Sequence, residues 1–252
     1  MNQIPLFKSC YSVGRSILTL DDYDPDHDKE SQDSIIQIAV ENKLDEIFLV
    51  EDSLAGIMEA DDKCQKNNIQ LNFGLRLSMV NDSMIKEPDS WNSEHKIVIF
   101  AKNNEGYKNL IKISTAAHTV HSFKRGRLDF KNLKQLWSDD LILAIPFYDS
   151  FIYNNNMTQK CALPEFFTKP YLFKENNNLP FDFYINSLVD KFVKTSGYET
   201  LDVKSVYYHR KEDYDAWVAF KCMNRKTYGS GNTLEKPNLE HCFSDQFCFE
   251  CV

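Results

Sequence analysis

The sequence of 252 residues carries 37 acidic and 29 basic side chains, a formal net charge of −8, and 42% of its residues are hydrophobic. With only eight glycines and eight prolines, this composition excludes a low-complexity or disordered chain and predicts a sizeable folded core. The acidic balance excludes broad electrostatic binding of nucleic acid, which requires a positive surface, but it leaves room for one local basic patch.

The compartment and the relation to membranes follow from what the sequence lacks. It begins without a secretory signal, and no apolar run approaches the ~18 residues that are needed to span a membrane. Seven cysteines, an odd number scattered along the chain, suit a reducing compartment better than a disulfide framework. We therefore expect a cytoplasmic protein that does not associate with membranes.

The first predicted elements alternate between strand and helix. The apolar run EIFLV at residues 46–50 is typical of a buried parallel strand. A helix is predicted next, and Asp52 or Ser53 can cap its amino end. Leu54, Ile57 and Met58 have the i, i+3, i+4 spacing of an apolar helix face.

The alternation continues through the middle of the chain. Strand patterns lie at 69–77, where Gly74 interrupts the run, and at 96–101. A helix is predicted at 103–117, with one face formed by Tyr107, Leu110, Ile111 and Ser114.

The second half repeats the pattern more loosely. It contains a strand, a helix, a strand and a closing helix, at 141–147, 181–194, 203–208 and 211–223. The polar segments 21–33 and 81–94 predict loops, and residues 150–180, with two Asn-Asn-Asn runs and three prolines, predict an irregular excursion.

This order of elements points to one architecture. Strand–helix alternation predicts parallel βαβ units, and a chain of this length suits an α/β barrel with functional groups at the carboxyl ends of its strands. No composition shift marks a domain boundary, so residues 1–252 are expected to form a single domain.

Several ordered motifs resemble a known family. The passage FAKNNEGYKNLIKIST (100–115) is similar to the strand-to-helix passage of the PHP (polymerase and histidinol phosphatase) domain at the front of the bacterial DNA polymerase III α subunit. FLVEDSLAG resembles the second strand of that domain, and YYHRKEDYDAWVAFKCMNRKT, TLEKP and SDQFCF follow in the family's order. The likeness covers nearly the whole chain and is weakest at 150–200.

The resemblance implies a fold and a setting. It implies a distorted (β/α)7-type PHP barrel, similar to a TIM barrel, which stands alone because the chain ends where the catalytic domains of the polymerase would begin. Stand-alone domains of this type are carried by large bacterial viruses, so a phage origin and a location in the host cytoplasm are expected.

The resemblance also implies a degenerate metal site. The family holds up to three metal ions at the strand ends, with His, Asp, Glu and Cys ligands. In this sequence most of those positions carry other residues, namely Lys8, Arg15, Arg76, Lys96, Phe147, Ser205 and Tyr207. The family's T-D-H stretch becomes Glu51, Asp52 and Ser53, so only the aspartate is retained, and His95 lies one residue away from a ligand position, on the opposite strand face.

Two interpretations of this pocket remain open. Lys and Arg have no lone pair for a metal at neutral pH, so Lys8, Arg15, Arg76 and Lys96 can replace the metal ions and satisfy Asp52 without any cofactor. Alternatively, the same cations form an anion site, because Arg binds phosphate bidentately.

Three functions follow from these interpretations. The first is a non-catalytic DNA-replication accessory or structural module that binds a polymerase or another replisome protein, without enzymatic activity or cofactor. The second is a phosphoesterase or 3′–5′ exonuclease that still uses Zn or Mn. The third is a module that binds phosphate or a DNA end through the cationic pocket.

Other motifs give weaker signals. Cys242, Cys248 and Cys251 beside His241 could hold zinc, but a single C-x-x-C favours ordinary thiols. The basic segment FKRGRLDFK at 123–131 could contact DNA, although a solvated loop is favoured. His118 and His121 suit a helix end rather than a metal, and the acidic loop around His27 lacks the glycine and glutamate of an EF-hand.

Overall fold

A computed structural model describes residues 3–28, 31–157, 160–224 and 244–252. Seven strands close into one barrel in sequence order, which confirms the predicted α/β barrel. The strands are β1 Ile4–Phe7, β2 Glu46–Glu51, β3 Gln70–Met79, β4 His95–Ala101, β5 Leu141–Ile145, β6 Tyr171–Lys174 and β7 Glu199–Val206. The α-helices are α1 Ile35–Glu41, α2 Ile57–Lys66, α3 Asn104–His118, α4 Phe130–Leu136, α5 Phe151–Asn155, α6 Asp182–Ser196 and α7 Tyr214–Asn224.

Strand β4 runs antiparallel to both of its neighbours, whereas the other strand pairs are parallel. The predicted parallel arrangement is therefore wrong for this strand. The connection from β3 to β4 contains a 3₁₀ helix, Pro88–Ser93, and no α-helix that would carry the chain back across the barrel. As a result, the first residues of β4 lie beside the last residues of β3 and β5. Lys96, near the start of β4, is therefore paired with Ser78, near the end of β3.

Two helical faces differ from the predicted ones. Helix α2 begins after Gly56, which has a left-handed φ of 80°, so neither Asp52 nor Ser53 caps it, and Met58 is 70% exposed. In α3 the predicted face is wrong at Ile111, which is exposed. The buried residues of α3 are Gly106, Leu110, Ile113 and Ala117.

Helices α1, α4 and α5 and strand β6 were not predicted from the sequence. Helix α1 starts directly after the polar segment 21–33, and the side chain of Ser34 caps it by accepting a hydrogen bond from the Gln37 backbone. Helix α5 and strand β6 lie within residues 150–180, where an irregular excursion was predicted. Four residues of strand are too few to show an alternation, which explains why β6 was missed.

The barrel interior is filled unevenly. Leu6 and Phe173 lie in the middle, between a small cavity at the carboxyl end and a larger one at the amino end. Gly74 lies against the ring of Phe100. A Cβ at this position would be only 2.7 Å from the phenyl ring, so the ring can approach this closely only because the residue is glycine. Among the described residues, no helix combines the length and apolar character that crossing a membrane requires.

Candidate functional site at the carboxyl end of the barrel

Three of the cationic candidates stand at one end of the barrel. Lys8 directly follows β1, Arg76 lies near the end of β3, and Lys96 lies near the start of the antiparallel β4. Lys8 and Arg76 are almost completely buried, with 5% and 9% of their surface exposed. Charged groups of this kind are rarely buried without partners, so the partners define the site.

Asp52 is the common partner of two of these cations. Its Oδ1 atom lies 3.3 Å from Nζ of Lys8 and 3.3 Å from a guanidinium nitrogen of Arg76. Lys8 also donates to the backbone oxygen of Val50 at 2.9 Å, and Arg76 also pairs with Asp149, in the turn after β5. Lys8, Asp52, Arg76 and Asp149 therefore form a continuous chain of alternating charges.

The pKa of Asp52 responds to all four candidate cations, of which Lys8 and Arg76 are in direct contact with it. Burial works against ionisation of Asp52, yet the pKa of its carboxyl lies well below the ordinary value. The cations that lower this pKa are, in decreasing order, Lys8, Arg76, Arg15 and Lys96. Asp52 is therefore ionised at any physiological pH, and direct ion pairs join three of the five candidates, Lys8, Asp52 and Arg76, whereas Lys96 contacts Ser78 and Glu94.

Arg76 and Lys96 respond to their surroundings in opposite directions. Burial opposes the charge of Arg76, but Asp149 and Asp52 raise the pKa of its guanidinium. Burial, followed by the nearby charge of Arg76, lowers the pKa of Lys96 to about 8. Lys96 donates to Ser78 and lies 3.5 Å from Glu94, whose carboxylate also pairs with Arg125.

Three carboxylates of this end were not among the candidates. Glu51 is buried and accepts hydrogen bonds from the Ser9 backbone at 2.7 Å and from the hydroxyl of Ser12. Burial raises the pKa of Glu51. The resemblance placed Glu51 at the threonine of the family's T-D-H stretch and gave it no role, although an acid at a strand end was itself a signal.

Glu175 follows β6, and Asp149 follows β5. Glu175 is buried and accepts bonds at 3.0 Å from both the backbone N–H and the hydroxyl of Ser205, and burial raises its pKa to about 6. It was missed because β6 was missed. Asp149, which adopts a left-handed φ of 60°, lay at the edge of the segment predicted to be irregular.

The space between these side chains is small. A cavity of about 40 Å³ lies between Lys8, Arg76, Glu175, Ser205 and Tyr207, which is room for a few water molecules. Among the described residues, no three or more His, Cys, Asp or Glu side chains are grouped so as to hold a metal ion. The donor set does not fit a metal centre, because ammonium and guanidinium groups already bond Asp52 and Asp149, and the hydrogen bonds that Glu51 and Glu175 accept come from elsewhere in the chain.

Comparison with known families agrees with this barrel. A family model described as the PHP domain matches residues 22–151, just over half of the chain. The chain belongs to the PHP domain family. The matched part of the PHP domain contains Asp52, Arg76 and Lys96, whereas Lys8 and Arg15 precede it. No curated protein matches the chain.

The other positions that the resemblance assigned to ligands of the PHP domain are Phe147, Ser205 and Tyr207, and His95 lies one residue away from another such position. His95 is buried and stacks on Phe130 at 6.1 Å, and burial lowers its pKa to about 4. Phe147 is buried, and Ser205 and Tyr207 line the small cavity.

The predicted basic segment is held by contacts within the domain. Arg127 is fully buried, so a solvated loop is wrong for this residue, and its guanidinium donates to the backbone oxygen of Ile85 at 2.6 Å. Arg125 pairs with Glu94, and Lys124 lies 4.4 Å from the ring centroid of Trp91.

A buried Ser–His–Asp cluster lies beside this segment. The hydroxyl of Ser83 is 2.8 Å from Nδ1 of His121 and donates to Asp129 at 2.5 Å. Serine, not histidine, is the central member, and Ser83 is completely buried, so the cluster does not activate a nucleophile. Its hydrogen bonds hold the loop that precedes β4 against the segment between α3 and α4.

The remaining motifs are only partly described. His118 ends α3, and its ring faces the Ser114 carbonyl, while His27 pairs with Asp33 at 3.3 Å. The thiols of Cys248 and Cys251 are adjacent. His241, Cys242 and the TLEKP motif lie outside the described residues.

Proposed function

We propose that this chain is a non-catalytic PHP domain in which side-chain cations take the place of metal ions, and that it serves as an accessory or structural module in DNA replication. The observation that supports the first part is the contact of Lys8 and Arg76 with one oxygen of Asp52, both at 3.3 Å. Asp52 is the carboxylate that the resemblance retains from the family's T-D-H stretch.

The charges around Asp52 explain why metal chemistry is not expected. Hydrolysis by two metals requires carboxylates and imidazoles that hold the cations and activate water. Here a divalent ion at Asp52 would meet the ammonium of Lys8 and the guanidinium of Arg76. Two unit positive charges at 4 Å repel each other by about 4 kcal/mol in an environment of moderate polarity, and a divalent ion doubles that energy.

The replication role rests on the sequence motifs. FAKNNEGYKNLIKIST spans the end of β4 and most of α3. SDQFCF lies in the carboxyl-terminal segment, where the Phe247 backbone oxygen accepts from the N–H of Tyr207, the residue directly after β7. Both motifs resemble the PHP domain of the DNA polymerase III α subunit. We therefore infer a polymerase or another replisome protein as the partner.

Metal content and hydrolysis test the non-catalytic part. The purified untagged chain is dialysed against trace zinc and manganese, analysed by mass spectrometry and assayed on bis(p-nitrophenyl) phosphate and on single-stranded DNA. We expect no stoichiometric metal at the barrel and no turnover. Two or three ions per chain, or hydrolysis that Arg76→Met abolishes, would establish the phosphoesterase instead.

Direct binding tests the accessory part. The chain is immobilised, and a purified replicative polymerase from the same source is passed over it by surface plasmon resonance. Saturable binding at micromolar or lower concentration supports the accessory role, with bovine serum albumin as the negative control. Absence of binding to the polymerase and to the other purified replisome subunits refutes it, while leaving the metal result intact.

A second candidate is an anion-binding module at the edge of the same site. The observation that favours it is the low pKa of Lys96, about 8, which arises from burial and from the positive charge of Arg76. A bound phosphate would relieve this repulsion. The cavity of about 40 Å³ is too small for the anion, and Lys96 does not line it, so the anion would bind outside the cavity on the side of Arg76 that faces Lys96.

Phosphate titration decides this candidate. If the anion binds protonated Lys96, the affinity for inorganic phosphate measured by calorimetry falls as the pH rises above 8. Lys96→Met removes the pH dependence and most of the affinity, whereas Lys66→Met, on the exposed face of α2, changes neither. No heat at 10 mM phosphate, or equal affinity in Lys96→Met, rejects it.

A further inference from the structure

A second cavity occupies the amino end of the barrel, opposite the charged site. Its volume is about 350 Å³, and every strand of the barrel contributes to its wall. Leu6 and Phe173 line both cavities and separate them. All the lining residues named for this cavity belong to the described part of the chain.

Aromatic rings form much of the wall. Phe48 meets Phe100 with 6.3 Å between ring centroids and 79° between planes, and Phe100 meets Phe173 at 6.4 Å and 61°. Phe48 and Phe100 remain half-buried although they point into a barrel. Ring pairs of this geometry favour a further ring at a similar distance, and filling the space would remove both phenyl groups from water.

The polar groups of the wall are almost all uncharged. Gln70 and Asn72 are amides, and Gln70 donates to the Asn72 side chain at 3.3 Å. Within the described residues, the side-chain oxygen of Gln70 accepts no hydrogen bond. The only charged lining residue among them is Lys102, whose ammonium donates to the Asp139 backbone oxygen at 2.7 Å.

We propose that this cavity binds a small uncharged aromatic molecule of the indole or phenol type. The ring lies among Phe48, Phe100 and Phe173, and its single N–H or O–H donates to the amide oxygen of Gln70. A carboxylate ligand is disfavoured because Lys102 is already engaged, and a cation is disfavoured because no carboxylate lines the described wall. This site is separate from the charged end and independent of the function proposed for it.

Indole is the probe. Saturation-transfer NMR and calorimetry on the intact chain are expected to show one site with a dissociation constant on the order of 0.1–1 mM, the range for a ligand of this size in a preformed apolar pocket. Phosphate at 10 mM should not compete. Absence of binding up to the solubility limit of indole overturns the proposal.

A filled-cavity variant locates the binding. Ala144 is buried and lines this cavity, so Ala144→Leu places a larger side chain in it and is expected to weaken indole binding at least tenfold. Ala55→Leu, at an exposed position before α2, is the matched control and should bind as the wild type does. If Ala144→Leu does not fold, Ala144→Val serves with a smaller expected loss. Unchanged affinity in a folded Ala144 variant refutes the site.

Discussion

The two ends of this barrel are filled by opposite kinds of chemistry. At the carboxyl end, buried cations and carboxylates bond to one another and leave about 40 Å³ free. At the amino end, aromatic and aliphatic side chains surround about 350 Å³. Only the layer that contains Leu6 and Phe173 lies between them.

The difference follows from where each set of residues lies on the chain. The amino-end cavity is lined mainly by residues within strands, such as Phe48 and Phe100, whose inward direction is fixed by the alternation along a strand. The carboxyl end uses residues at or just beyond strand ends, such as Lys8, Asp52 and Glu175. Those positions can exchange metal ligands for cations without altering the strands, so a PHP barrel can keep its fold while its site changes.

The largest expected effect comes from breaking the charge chain. Arg76→Met leaves Asp52 and Asp149 facing one another without their shared guanidinium, and it should destabilise the protein by about 3 kcal/mol in urea unfolding. The side chains of Asp52 and Asp149 are 35% and 40% exposed, so water partly solvates the carboxylates that lose their partner. The expected destabilisation is therefore at the lower end of the range for broken buried ion pairs.

The control for that variant is an exposed pair. Lys66 and Asp62 are 2.7 Å apart on α2, with more than half of each side chain exposed, so Lys66→Met should cost less than about 1 kcal/mol. Equal costs for the two variants would show that the buried chain of charges contributes no special stability, and that the carboxyl end is not held together as described.

The next effect is a pH dependence that arises from Glu175. Its folded-state pKa of about 6 lies above the ordinary 4.5, so its stabilising contribution is complete below pH 4.5 and is lost as the pH rises through 6. At about 1.4 kcal/mol per pKa unit, the loss is about 2 kcal/mol. In urea unfolding between pH 4.5 and 7.5 this loss should appear as a difference between the wild type and a variant that lacks Glu175, because the lowered pKa of His95, about 4, makes stability rise with pH in both proteins.

Glu175→Gln isolates the contribution. The amide does not titrate, and it retains one oxygen to accept from Ser205, so the stability of the wild type relative to this variant should fall by about 2 kcal/mol between pH 4.5 and 7.5. Asp52 does not interfere, because its lowered pKa places its own loss of stability at lower pH. An identical slope in both proteins would contradict the assignment to Glu175.

The sequence could predict the cations of the site better than their partners. Lys8, Arg76 and Lys96 were found because the flanking motifs resemble a family that has ligands at those positions. No recognisable motif surrounds Glu175, because the strand before it has only four residues and lies in an Asn-rich and Pro-rich segment. Pairing of Asp149 with Arg76 depends on a left-handed turn after β5, which no local pattern indicates.

The fold was predictable to the extent that its elements were long and periodic. Strands β2, β3 and β5 and helices α3 and α6 were recognised from apolar runs and spacing. The direction of β4 was not, because an apolar run looks the same in parallel and antiparallel strands. Only the shortness of the connection before it, with no α-helix, carried that information.

A smaller effect is expected from crowding the amino end. Gly74→Ala places a methyl group 2.7 Å from the Phe100 ring, which can turn into the open cavity, so the cost in unfolding free energy should be about 1 kcal/mol. The displaced ring should also reduce indole affinity. A cost of 3 kcal/mol or more would mean that Phe100 cannot move and that the amino end is as rigid as the carboxyl end.

The smallest expected effect is that of metal on stability. A metal present at one hundred times its dissociation constant stabilises the folded state by about 2.7 kcal/mol, which a chelator would remove as a fall in Tm. Because Lys8 and Arg76 already neutralise Asp52, EDTA, zinc and manganese should leave the Tm of the wild type unchanged.

The double variant Lys8→His, Arg76→Glu replaces both cations with side chains that can bind a metal ion. It should unfold at lower temperature without metal, because the introduced carboxylate would repel Asp52 and Asp149, and zinc should restore part of the loss. A chelator-dependent Tm in the wild type would show instead that the charged end of the barrel still binds metal, and that its cations are additions to a metal site rather than replacements.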